Sequence, residues 1–83
     1  MDNGVMAIMI EPLASTVAGM VEGVRACETQ EERENFAAFG LDMALDMLNT
    51  AKVIELPDAD FRKGIAKLFA PMFVELITKE EVR

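Results

Sequence analysis

Residues 29–49, TQEERENFAAFGLDMALDMLN, decide the fold class. Thr29 followed by Glu32 is a capping box, in which the threonine satisfies a backbone N–H at the third helical position. Glu31, Glu32 and Glu34 lie in the first turns, where the helix dipole favours anions. The spacing therefore predicts a helix over about 30–48, ending at Asn49. At 100° per residue, Phe36, Phe39, Gly40, Met43 and Met47 fill one side of it. Ala37, Leu41, Ala44, Leu45 and Leu48 fill the adjoining side, and only a narrow stripe with Glu31, Asn35, Asp42, Asp46 and Asn49 is polar. A peripheral helix in a small domain shows one apolar stripe of about 100°. This helix carries more, so it is expected to be central or to form an interface.

The stretches on either side also read as helices. Upstream, Met6, Ile10, Leu13, Val17, Met20, Val21 and Val24 recur at helical spacing, giving a helix over about 4–26 with Asp2 or Asn3 as its cap. Pro12 lies inside it and is expected to kink the helix or mark its true start. The run from Val5 to Ile10 is apolar on every side, so helix, strand and exchanged arm all remain open for it. Ser15, Gly19 and Gly23 form a row of small residues four apart, which suits close approach of a neighbouring helix. Downstream, Pro57 and Asp58 start a third helix over about 58–79, with Asp58 as N-cap. Its expected core face is Phe61, Ile65, Leu68, Phe69, Met72, Phe73, Leu76 and Ile77. Pro71 falls on the opposite face and predicts a bend rather than a break. In the connection, Val53, Ile54 and Leu56 are expected to tuck against the core.

The whole is one all-α domain of 83 residues, a small three-helix bundle in up-down-up order. A chain this short supports only a modest core and profits from a staple, a metal or a partner chain. Its one cysteine, Cys27, excludes an internal disulfide, and the absence of histidine removes the commonest transition-metal ligand. The apolar fraction of 52% includes seven methionines and five phenylalanines. A partner chain remains, and a homodimer or a complex with another protein is expected.

Charge narrows the function. The net charge is −7, which argues against nucleic acid and against anionic membrane surfaces. Residues 1–50 carry nine acids and two bases, while residues 51–83 carry six of each. Val5 to Val24 is apolar apart from Glu11, Ser15, Thr16 and Glu22 but lacks a basic leader region, and Glu11, Pro12 and Glu22 argue against a membrane span, so a cytoplasmic setting is expected.

Catalytic constellations lack parts. Without histidine there is no Ser-His or Cys-His nucleophile, and no phosphate-binding glycine loop is present. Asp42 and Asp46 share a face at i, i+4, but in a polar stripe they are expected to stay hydrated, whereas acid–base work needs a desolvated carboxyl. Asp58-Ala59-Asp60 starts like a calcium loop but continues Phe61-Arg62-Lys63, which fits a helix start instead. Arg62 is expected to pair within its own helix, with Asp58. No cofactor, metal or small-molecule substrate is expected.

The expected function is thus non-enzymatic: an interaction module that binds, occludes or scaffolds a partner protein. Small phage or mobile-element accessory proteins that inhibit a host protein share this size and composition, as do small assembly chaperones and structural subunits. Val5, Met6, Ile8 and Met9 are the candidate apolar docking residues, with Glu31, Asp42 and Asp46 as an acidic rim that orients the encounter. The rival expectation is an acidic decoy that imitates nucleic acid for a basic protein, held mainly by charge.

Overall fold

Three helices form, in the order α1 (Asn3–Ala26), α2 (Gln30–Thr50) and α3 (Ala59–Glu81). The structure is a computed structural model that describes the backbone of residues 3–81 and the side chains of residues 10–79. The side chains of Val5, Met6, Ile8 and Met9 lie outside the described ones, although their backbone is part of α1.

Helices α2 and α3 each start where a side chain satisfies a first free N–H group. Thr29 Oγ1 accepts from the Glu32 backbone N–H at 3.1 Å and donates to Glu32 Oε1 at 2.9 Å. The glutamate thus returns to the hydroxyl, a variant of the expected box. Asp58 Oδ1 accepts from the Phe61 N–H at 2.8 Å, which makes Asp58 the cap of α3. The end of α2 carries no glycine. Instead Lys52 takes a left-handed φ of 63°, the Val53 N–H reaches the Leu48 carbonyl at 3.0 Å, and the Lys52 N–H reaches that of Asn49 at 3.1 Å. These are the paired bonds of a Schellman stop. The Asn49 side chain then holds the connection by accepting from the Leu56 N–H at 3.0 Å.

Two of the three prolines lie inside continuous helices, Pro12 in α1 and Pro71 in α3. The run from Val5 to Ile10 is helical, and α1 begins well before Pro12.

Neighbouring helices run antiparallel. Thr16 meets Met47, Met20 meets Gly40, and Gly23 meets Phe36, so the register advances on α1 as it retreats on α2. Helix α2 packs against both others, while α1 and α3 touch little. The molecule measures 39 × 26 × 15 Å. Its width fits two helix spacings of about 9 Å plus one helix backbone, so the helices lie nearly side by side with α2 in the middle.

The core is small and built from small side chains. Met20 and Val24 of α1, Ala37 of α2, and Ala70, Val74 and Ile77 of α3 form it. Among the described residues, Val24 and Val74 are the largest side chains that are fully buried. Close approach explains this composition. A Cβ added at Gly40 would lie 2.8 Å from Met20 Cβ, so α1 rests on a bare glycine there. Of the expected small-residue row only Gly23 makes such a contact, taking the Phe36 ring against its Cα, while Gly19 has open space.

Helix α3 departs from its expected orientation. Ala66, Ala70, Val74 and Ile77 are buried, whereas Phe61, Leu68, Phe69, Met72, Phe73 and Leu76 are all more than a third exposed. The α2 residues packed against α3 include Ala37 and Ala38, and helices that meet this closely leave no room for phenylalanine between them. The small stripe of α3 faces inward and the large one outward. Val53 is also exposed, so of the three connection residues expected to tuck inward, Ile54 and Leu56 are partly covered.

Candidate protein-binding surface

All five phenylalanines of the chain are more than a third exposed. Phenylalanine is ordinarily among the most buried residues of a folded domain. The accessible surface is 5899 Å², against about 4,900 Å² for a globular monomer of this mass. The difference is on the order of the 800 Å² that one partner contributes to a standard interface.

Most of the exposed large apolar groups fall into two areas, while Ile10, Val17 and Val53 lie outside them. The first is centred on α2. Phe39 is 64% exposed and stands as a ridge between two grooves. On one side, a groove of about 230 Å³ runs between α1 and α2, floored by Gly19, Met20 and Gly40 and walled by Phe36, Phe39 and Met43. On the other, a groove of about 270 Å³ lies between α2 and α3, lined by Ala38, Phe39 and Ala66, with Asp42, Lys63 and Lys67 at its edge. Gly19 of α1, with nothing within 4 Å of where a Cβ would stand, leaves the floor of the first groove open. The second area is the outer edge of α3, described below.

The acidic residues are arranged differently from the expectation. Arg62 Nε donates to Asp42 Oδ1 at 2.6 Å, and its Nη1 donates to Asp46 Oδ1 at 3.0 Å. One guanidinium therefore bridges two carboxylates one turn apart and ties the start of α3 to the second half of α2. The planar fork suits this geometry, as a lysine would not. The hydrogen bond that Arg62 donates to Asp42 raises the Arg62 pKa above its ordinary value, against a smaller opposing effect of desolvation, and the charges of both aspartates add to the rise. The expected intrahelical partner, Asp58, is engaged instead in capping α3. Glu31 lies three turns from Asp42 on the same stripe, about 16 Å along the helix, and is exposed. The structure thus joins Asp42 and Asp46 through Arg62 and leaves Glu31 apart.

Sequence periodicity missed two parts of this surface. It assigned the large stripe of α3 to the core, and it gave Arg62 the wrong partner. A signal for the first was present: Ala66, Ala70, Val74 and Ile77 form a second apolar stripe at spacings of 4, 4 and 3. A helix with two apolar stripes has two candidate inner faces, and periodicity alone does not choose between them.

Among the described residues, no group of three or more His, Cys, Asp or Glu is placed to hold a metal ion. No helix of the described residues is long and apolar enough to cross a membrane. In comparisons with protein-family models, curated proteins and solved structures, the chain matches none.

Proposed function

We propose that the chain is a non-enzymatic protein–protein interaction module that occludes or scaffolds a partner protein, docking it on the Phe39 ridge and its two grooves. The observation that carries this reading is the exposure of Phe36, Phe39 and Met43 on one face of α2. An aromatic ridge beside apolar grooves is the form that interface hot spots take, because a partner side chain seated in each groove is fully desolvated. The mixed rim supplies orientation, with Asp42 and Asp46 on one side and Lys63 and Lys67 on the other. Val5, Met6, Ile8 and Met9 belong to the same proposal as the most apolar run of α1, an arm that adds contact to whatever seats on the ridge. The role is that of a small accessory protein, such as an inhibitor of a host protein.

The acidic-decoy reading draws less support. A phosphate-like row needs unneutralised carboxylates, and two of its three candidate acids share the charge of Arg62.

Affinity capture from the native cell extract tests the proposal. Tagged wild type and Phe39→Asp are compared at low and at high salt. A protein captured by the wild type in both conditions and lost from Phe39→Asp supports apolar docking on the ridge. Equal capture by the variant refutes it. Capture that vanishes at high salt favours the charge-driven decoy instead.

A further inference from the structure

The outer edge of α3 has the form of one half of a symmetric helix pair. At 100° per residue, Phe61, Ile65, Leu68, Met72 and Leu76 fall within about 80° of arc. Their centre lies roughly 160° from that of the buried stripe of Ala66, Ala70, Val74 and Ile77, so this face points away from α2 and from the Phe39 ridge. Ile65 is half-buried. Phe61 is 51% exposed, Leu68 69%, Met72 56% and Leu76 60%. With Phe69 beside them they present about 500 Å² of apolar side chain, at the upper end of what a lone soluble domain shows as a single patch. Together with a polar rim this approaches the roughly 800 Å² per partner of a stable interface.

We propose that this edge binds a second copy of the same chain, with the two α3 helices antiparallel about a twofold axis between Leu68 and Phe69. Three observations select this occupant. The first is the order of side chains along the edge. Reversing the helix about that point places Phe61 across from Leu76 of the second copy, Ile65 across from Met72, and Leu68 across from Phe69, so every apolar level meets an apolar level. The second is charge at the two ends. The same operation sets Asp58, at the start of α3, across from Lys79, near its end, and both are exposed. The pairing occurs twice by symmetry, as an isologous contact requires. The third is the distribution of charge over the chain. Residues 51–83 carry six acids and six bases, while residues 1–50 carry nine acids and two bases. Two copies of net charge −7 therefore approach through their neutral third, and α1 and α2 with their acids lie away from the axis. This pairing uses a different face from the ridge, and the two proposals fail independently.

The test is sedimentation equilibrium of the full chain across a dilution series, with helix content followed by circular dichroism. The wild type is expected at twice the 9.2 kDa chain mass, dissociating on dilution. Leu68→Asp, and separately Met72→Lys, are expected to give a helical monomer, because both side chains are more than half exposed in the single chain. Lys79→Glu turns both end contacts from attraction to repulsion and is expected to weaken dimerisation about tenfold at low salt, with the effect shrinking in high salt. In a parallel pair Lys79 would face its own copy, and the same change would leave affinity unaltered. Phe39→Asp is expected to remain dimeric. A wild type that stays monomeric at about 100 µM, a dimer that survives both Leu68→Asp and Met72→Lys, a dimer indifferent to Lys79→Glu, or one dissociated by Phe39→Asp overturns the proposal.

Discussion

Replacing Gly40 by alanine probes the closest contact between α1 and α2. The new Cβ would lie 2.8 Å from both Cβ and Cγ of Met20 and 3.0 Å from its sulfur. Ordinary carbon–carbon contact begins near 3.5 Å, so α1 must retreat or Met20 must move. Met20 is only 4% exposed, and its Cβ is carried by the backbone of α1, so no change of rotamer removes the first clash. Overpacking costs about 1–3 kcal/mol, and a clash with a backbone-borne atom lies in the upper part of that range, about 2–3 kcal/mol. Alanine recovers about 1 kcal/mol through its better helix propensity. The net loss is on the order of 1–2 kcal/mol, which lowers Tm by roughly 4–15 °C in a domain of this size. Urea and thermal unfolding at fixed protein concentration measure it. Gly23→Ala is the internal control. Its obstacle is the far end of the Phe36 ring, a side chain already 40% exposed that can swing outward, so it should cost clearly less. A Gly40→Ala protein as stable as the wild type would refute the close approach of α1 to α2 at this glycine.

Gly64→Ala should stabilise by about 0.5–1 kcal/mol, since nothing lies within 4 Å of the added Cβ and the residue is inside α3 with a helical backbone; chemical denaturation reads the gain. Lys52→Gly should stabilise by up to about 1 kcal/mol by removing the left-handed strain at the end of α2, and an unchanged or lower midpoint would contradict the Schellman geometry. Thr29→Ala should cost about 1 kcal/mol, and Thr29→Ser should recover most of it. Arg62→Met should lower Tm by loosening α3 from α2, and Asp42→Asn should lower it more than Asp46→Asn, because Asp42 is the less exposed of the pair at 22% against 57%. The folded Arg62 holds its proton more tightly than the unfolded one, so its contribution is complete below the ordinary arginine range and is lost only as pH rises through the raised value. The Tm gap between wild type and Arg62→Met should therefore stay constant from about pH 7 to about pH 10.

Local chemistry made the elements of this fold legible. The caps Thr29 and Asp58, the acids after Thr29, and the apolar spacing of each stretch specify three helices and nearly all of their limits, because each signal acts within one or two turns. The amount of exposed apolar surface was legible too, since too many large side chains compete for so small an interior. The end of α2 was less visible, because Lys52 adopts a conformation that glycine usually marks.

Which face of α3 turns inward was decided only by assembly. Hydrophobicity ranks Phe61, Leu68 and Met72 above Ala66 and Ala70, yet the alanines are the buried ones. The choice depends on the partner surface: α2 offers Ala37 and Ala38, and a helix that approaches so closely can bring only small groups into the gap. The Asp42–Arg62–Asp46 bridge has the same origin, for it joins residues 16 and 20 positions apart whose meeting depends on the register of α2 against α3. Periodicity along one helix fixes angles about its own axis; what lies across from each angle is a property of the packed molecule.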